Sequence, residues 1–153
     1  MDFFDHIRNG DLNSIEKMLA SDPSLLHQQD VKGFTPLIMA SYSDQLEITR
    51  YLLEKGADVN ARDAAGNTAL MGVCFKGNLE IAKLLIEHHA ELNAVNGQRA
   101  SALIYAATFG QRDIAQLLVE KGADKSLMDR QGHTAEYHAR VKGMDDLADE
   151  ISA

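Results

Sequence analysis

The amino-acid sequence predicts an all-α solenoid, in which short helical units stack side by side within one domain. Two observations carry this prediction. The chain matches itself at a spacing of 33 residues, and residues typical of helix ends recur at the same places in every period. The registers include leucines at the first helix and hydroxyl residues just before it: Leu37, Leu70 and Leu103, with Thr35, Thr68, Ser101 and Thr134.

The 33-residue period divides the chain into three internal units and two terminal ones. The internal units are residues 30–62, 63–95 and 96–128, and the terminal units are residues 1–29 and 129–153. The end units of a solenoid need a polar outer face. Because "SIEKMLASDP" and "MDDLADEISA" are rich in acidic and polar residues, we read both as caps and expect a complete small protein.

Each internal unit carries start and stop signals for two helices. Thr35 followed by Pro36 is typical of an N-cap with proline at the first helical position. Gly56 and Gly122 follow "YLLEK" and "LLVEK", where a left-handed residue ends a helix. The helices between these signals have about eight to ten residues, too few to persist alone in water. Each unit must therefore bury its apolar face against the next one.

The stretch "DVKGFTPLIMA" followed by "LEITRYLLEKGADVNA" resembles the ankyrin repeat, whose pattern is D-x-x-G-x-T-P-L-H-x-A-A and, after a helix, G-A-D-x-N. The similarity extends over nearly the whole chain. It implies an ankyrin-repeat solenoid with projecting β-hairpin-like turns. One departure is Arg99, which replaces the glycine of the third internal hairpin, so we expect that hairpin to be the least regular.

The resemblance also implies a scaffold that binds another protein through its hairpin tips and the concave face of each first helix. Carried over by register, the partner-binding residues are Lys32, Phe34, Asn67 and Gln98 at the tips, and Met39, Tyr42, Phe75, Lys76, Tyr105 and Phe109 on the helices. Exposed aromatic residues often dominate the binding energy of interfaces. The alternative is that these rings fill gaps between adjacent first helices.

Composition argues against several other classes of protein. The formal net charge of −8 and the lack of any Lys/Arg block predict no nucleic-acid binding. No run approaches the roughly 18 apolar residues of a membrane span, and the N-terminus is unlike a secretory signal. With a single cysteine, Cys74, an internal disulfide is excluded, and we expect a cytoplasmic monomer.

The sequence shows no arrangement typical of catalysis or of a cofactor site. Cys74 shares its register with Ser41 and Ala107, which predicts a packed thiol rather than a nucleophile. The motifs H-E-x-x-H, CxxC, GxSxG and the glycine-rich phosphate loops are all missing. We therefore predict a binding protein without enzymatic activity, cofactor or metal.

The adjacent histidines of "EHHAELN" support the main alternative, a small-ligand or metal-binding protein that uses His88 and His89. A third possibility is a non-catalytic regulatory subunit of an enzyme. His89, however, shares the register of Gly56 and Gly122, and histidine tolerates left-handed backbone better than most residues. We therefore interpret His89 as a helix-terminating residue.

Overall fold

The computed structural model describes all residues from Met1 to Ala153 and contains ten α-helices, one short 3₁₀ helix and no β-strand. The 3₁₀ helix spans Pro23–His27. The α-helices are α1 (Phe3–Arg8), α2 (Leu12–Ser21), α3 (Pro36–Tyr42), α4 (Leu46–Glu54), α5 (Ala69–Lys76), α6 (Leu79–Glu87), α7 (Ala102–Thr108), α8 (Arg112–Glu120), α9 (Ala135–Val141) and α10 (Asp145–Ser152). None of them is long and apolar enough to span a bilayer.

The helices form two layers of a solenoid. Helices α1, α3, α5, α7 and α9 contact one another in sequence in one layer, and α2, α4, α6, α8 and α10 do so in the other. Each first helix also packs against the second helix of its own unit. The N-terminal unit has both helices, because Phe3, Phe4 and Ile7 bury an apolar face of α1. The prediction of an all-α solenoid is confirmed.

One continuous apolar core runs through the stack, from Phe3 in the first unit to Ile151 in the last. The leucines of the first helices, Leu37, Leu70 and Leu103, are each 1% exposed. Small residues beside them are equally buried and let neighbouring helices approach closely: Ala40, Ser41, Val73, Cys74, Ala106 and Ala107. Because this core is built from contacts between units, no single helix pair could bury it alone.

In every unit except the N-terminal one, the first helix begins at a hydroxyl N-cap. The Thr35 hydroxyl accepts a hydrogen bond of 3.1 Å from the backbone N–H of Ile38, and Pro36 occupies the first helical turn. Thr68, Ser101 and Thr134 cap α5, α7 and α9 in the same way. These residues satisfy backbone donors that the helix itself leaves unpaired.

Left-handed backbone recurs at the registers that glycine usually occupies. Only three non-glycine residues have positive φ: Asp44 at 60°, His89 at 70° and Arg99 at 59°. His89 matches Gly56 and Gly122, whose φ values are 97° and 92°. The interpretation of His89 as a helix-terminating residue is thus confirmed.

The turns between units form a ladder of hairpins. In the first internal hairpin, Asp30 N–H donates to Phe34 O and Gly33 N–H donates to Asp30 O, at 3.1 and 2.9 Å. Successive hairpins are joined by backbone hydrogen bonds of 3.0 to 3.1 Å: Ala64 N–H to Lys32 O, Gly97 N–H to Ala65 O, and Arg130 N–H to Gln98 O.

The third hairpin is as regular as the others, so our expectation of irregularity was wrong. Asn96 N–H donates to Ala100 O at 3.1 Å, and Arg99 N–H donates to Asn96 O at 2.9 Å. The physical reason is that Arg99 adopts the left-handed φ of the missing glycine. In addition, the Asn96 side-chain oxygen accepts the same backbone bonds that an aspartate accepts elsewhere.

Candidate functional site

Helices α3, α5 and α7 and the hairpins before the first two enclose a groove on one side of the solenoid, with a volume of about 410 Å³. Seven of the ten predicted partner-binding residues line it: Lys32, Phe34, Tyr42, Asn67, Phe75, Tyr105 and Phe109. The other lining residues include Ile38 and Met71, which stand where the ankyrin pattern has histidine. We call this feature the aromatic groove.

Aromatic rings from three consecutive units contact one another along the groove. Tyr42 and Phe75 are parallel, with centroids 6.1 Å apart. Phe109 meets Phe75 edge to face at 4.7 Å and lies 5.7 Å from Tyr105. These separations suit aromatic pairs. Tyr42, Phe75 and Phe109 nevertheless remain 40%, 44% and 39% exposed, so the rings support each other and still present a face to solvent.

A charged rim borders the Tyr42 end of the groove. The Lys76 ammonium lies 5.3 Å from the centroid of the Tyr42 ring and 4.0 Å from a carboxylate oxygen of Asp44. A cation over an aromatic face is attracted by the ring quadrupole. Lys76 thus lies beside the groove rather than among its lining residues.

A hydrogen-bond network orients Tyr105 and Asn67. The amide nitrogen of Asn96 donates to the Tyr105 hydroxyl at 2.6 Å and to the Asn67 side-chain oxygen at 2.8 Å. The Asn96 side-chain oxygen accepts backbone bonds from Gln98 and Ala100, which sets the orientation of its amide. Because the Tyr105 oxygen is an acceptor here, its own proton is available to a bound partner.

Two of the predicted residues lie elsewhere. Met39 is buried, with only 7% of its surface exposed, unlike the exposed position that the predicted partner contact requires. The reason is that α1 packs against α3, and the Arg8 guanidinium lies 3.7 Å from the Met39 sulfur. Gln98 is exposed at the tip of the third hairpin but does not line the groove.

Cys74 and the two adjacent histidines have structural roles. Cys74 is completely buried in α5, and burial raises the pKa of its thiol far above the ordinary range. A neutral, inaccessible thiol is a poor nucleophile. His88 caps the C-terminus of α6 and His89 follows it in left-handed conformation. Neither belongs to a group of three potential metal ligands.

One such group does occur, in the C-terminal unit, where the sequence had suggested none. Asp129, His133 and His138 place their ligand atoms within 4.8 Å of one another. His138 Nε2 lies 2.8 Å from Asp129 Oδ2. Burial raises the pKa of Asp129, but hydrogen bonds from the His133 N–H, the His138 ring and the Gln131 N–H more than offset it, so the pKa is lowered. We call these residues the histidine–aspartate cluster.

The cluster could have been found by comparing registers. The three residues share the positions of Asp30, Phe34 and Met39 in the first internal unit. Asp129 and His133 lie in the hairpin before α9 and His138 lies within α9, so the whole cluster belongs to one unit.

Comparison with known proteins identifies the repeats. The sequence profile of the ankyrin repeat matches residues 32–64, and a profile of ankyrin repeats in three copies matches residues 62–129. The chain is similar to the serine/threonine-protein kinase VIK of Arabidopsis thaliana, with 40% identity over 57 residues, or 37% of this chain and 13% of the kinase. It is also similar to the human DNA-binding protein RFXANK, with 43% identity over 49 residues, or 32% of this chain and 19% of that protein.

These similarities concern the repeats alone, since the chain spans under a fifth of the length of either relative. The two profile matches together extend from residue 32 to residue 129 and coincide with the stacked helix pairs of the structure. Ankyrin repeats generally serve as protein–protein interaction modules. The chain belongs to the ankyrin-repeat family.

Proposed function

We propose that this protein binds a partner protein through the aromatic groove, by surface complementarity on a rigid scaffold. The observation that carries the proposal is the contact between Tyr42, Phe75 and Phe109, which come from three consecutive units and remain about two-fifths exposed. Exposed, contiguous apolar surface of this kind usually marks a binding site. A preformed groove also limits the conformational entropy lost on binding.

The groove's shape and chemistry favour a partner segment with a large apolar side chain. Its volume of about 410 Å³ can hold one or two such side chains, and Ile38 and Met71 line it with apolar groups. Polar groups of Lys32, Asp63 and Asn67 also line it and could bond to the backbone of that segment. The formal net charge of −8 favours a partner whose flanking residues are basic or neutral.

Binding without catalysis is the role that we infer. The one cysteine is buried, and the carboxylates at the start of α10, Asp145 and Asp146, are exposed to solvent. The acidic net charge argues against direct contact with DNA.

The test compares how much of the natural partner the wild type and a triple variant capture from a lysate of the native host. The variant carries Tyr42→Ala, Phe75→Ala and Phe109→Ala. We expect at least a tenfold loss of captured partner, because removing buried aromatic anchors costs about 2 kcal/mol or more each. The matched control replaces exposed residues that share one register in the second helices of the same three units, Glu47→Ala, Glu80→Ala and Asp113→Ala. It should capture the partner as the wild type does.

Circular dichroism and thermal unfolding establish that both triple variants are folded. The partner found with the wild type then serves as the probe in a binding assay with purified proteins. Equal affinity of the two triple variants for that partner would show that the groove is not the binding surface.

A further inference from the structure

We propose that the histidine–aspartate cluster is a binding site for a divalent transition-metal ion, with Zn²⁺ as the best match. Imidazole nitrogen and carboxylate oxygen are ordinary zinc ligands, and three protein ligands leave one tetrahedral position open. The site lies in the C-terminal unit and does not depend on the aromatic groove for its construction.

The ligand atoms are close to the arrangement that zinc requires. They lie within 4.8 Å of one another, whereas ligand atoms around tetrahedral zinc lie about 3.3 Å apart, given bonds of about 2.0–2.1 Å. His138 Nε2 and Asp129 Oδ2, now 2.8 Å apart, would have to separate slightly. All three residues are only partly buried, so small side-chain rotations can bring their ligand atoms around the ion.

Hydrogen bonds already orient the Asp129 carboxylate for this role. Its Oδ1 accepts the backbone N–H groups of Gln131 and His133, each at 3.0 Å, which leaves Oδ2 directed toward His138. Metal-ligating carboxylates are commonly held by such outer hydrogen bonds, which orient them and strengthen binding.

The imidazole of His133 is also held in place, by an aromatic neighbour. Its ring is stacked on that of Tyr137, with centroids 3.8 Å apart and an angle of 16° between the planes. The His133 and His138 rings are nearly perpendicular, with centroids 5.7 Å apart. Perpendicular rings at this separation can direct one nitrogen each toward a shared point.

Comparison between units separates the structural part of the cluster from the part that suggests a metal. The Asp129–His138 bond has a counterpart in the third internal unit, where Asn96 bonds to the Tyr105 hydroxyl. A structural role thus accounts for that pair. It does not account for His133, whose register holds Phe34, Asn67 and Ala100 in the other units. Only the C-terminal unit has three metal-ligating residues at these positions.

The site would extend the binding face of the protein. Residues in the registers of His133 and His138 in the preceding units line the aromatic groove: Phe34, Asn67, Gly72 and Tyr105. The ion would therefore lie on the same face, toward the C-terminal end of the solenoid. Water would fill its open coordination position in the free protein.

The experiment is a titration of the full chain, produced without a histidine tag, with Zn²⁺ in a calorimeter and with Co²⁺ followed by visible absorption. We expect one ion per chain and the intense visible bands of tetrahedral cobalt. His133→Ala should weaken Zn²⁺ binding by at least about tenfold, as the loss of a ligand exceeds the effect of losing an outer partner. His88→Ala, a histidine outside the cluster, should bind as the wild type does.

Folding controls keep the outcome clear. His133→Ala keeps the Asp129–His138 bond but loses the stacking on Tyr137, so in EDTA it should remain folded with an unfolding temperature only slightly below that of the wild type. Excess Zn²⁺ should raise the unfolding temperature of the wild type but not of His133→Ala, because an ion that binds only the folded state stabilises it. His138→Gln, which retains an amide toward Asp129, should also lose the ion.

Absence of Zn²⁺ binding by the wild type would overturn the proposal. So would wild-type affinity in His133→Ala, or a loss of affinity in His88→Ala equal to that in His133→Ala.

Discussion

Individual positions in this protein are constrained more by backbone conformation than by side-chain chemistry. His89 illustrates this, because it stands beside another histidine and two carboxylates but adopts a φ of 70° at a register otherwise held by Gly56 and Gly122. Asp44 and Arg99 show the same replacement at two other registers. A histidine pair in a repeat protein is thus best judged against its equivalents in the other units before any chemical role is assigned.

We predict that His89→Gly leaves the stability unchanged or raises the free energy of unfolding by up to about 1 kcal/mol, because glycine adopts left-handed backbone without steric strain. Urea denaturation followed by circular dichroism measures the change. The matched control is Gly56→Ala, which places a Cβ at the same register and should lower the stability. Its Cβ would contact nothing within 4 Å, so the loss would reflect backbone strain alone. Destabilisation by His89→Gly would contradict this view of the residue.

At the scale of elements, polar side chains tie the end of one helix pair to the next. The Asn60 side-chain oxygen accepts the backbone N–H of Glu91 at 2.8 Å, and Asn93 accepts that of Asp124 at 2.7 Å. Ser126 holds the same register in the following unit, but its hydroxyl bonds to Asp124 within that unit. The asparagine of the repeat therefore connects units, whereas the serine closes a local turn.

We predict that Asn93→Ala lowers the free energy of unfolding by about 1 kcal/mol, the typical net contribution of one hydrogen bond. Chemical denaturation gives the value. Ser126→Ala is the control, and it should cost less because its bond lies within one exposed turn. If the two variants are equally stable, the Asn93 bond contributes nothing to the coupling between units.

Much of this element-level structure could be predicted from the sequence, because the signals are local. Thr35 and its equivalents mark helix starts, and Gly56 and Gly122 mark helix ends, through interactions within a few residues. The burial of Met39 could not be predicted in this way. It depends on α1, a helix of the N-terminal unit without the repeat motif, which packs against α3 and covers the thioether.

The sequence predicted the residues of the candidate site but not their exposure. Register placed Tyr42, Phe75 and Phe109 on one face, but whether their rings were covered or exposed depended on packing between helices. The histidine–aspartate cluster was not predicted from the sequence. Its residues are near in sequence, so a comparison of registers could have suggested it, but the distances of up to 4.8 Å between their ligand atoms depend on how the hairpin packs against α9.

The whole molecule is a linear stack, in which each unit depends on its neighbours for burial. Stability in such arrays is approximately a sum of contributions from units and from the interfaces between them. Units at the ends have one neighbour and open more easily, whereas central units have two. Cys74 lies in α5, in the second of the three internal units, and is therefore a natural reporter of the central part of the stack.

We predict that Cys74 reacts with a thiol reagent only when the central units open, because the thiol is buried and burial raises its pKa. Its labelling rate should rise with urea in parallel with unfolding. The control is Gln98→Cys in a Cys74→Ala background, which places a thiol on the exposed third hairpin and should react at once. Similar rates for the two thiols in the absence of urea would show that the Cys74 thiol is accessible in the folded protein, contrary to the prediction.

The rings of the aromatic groove come one after another from successive units, with Tyr42 in α3, Phe75 in α5 and Phe109 at the end of α7. Gain or loss of one 33-residue unit would therefore lengthen or shorten the groove by one whole step. The number of partner side chains that the groove accommodates would then change by the share of one whole unit. A substitution within a unit alters a single step and leaves the others in register.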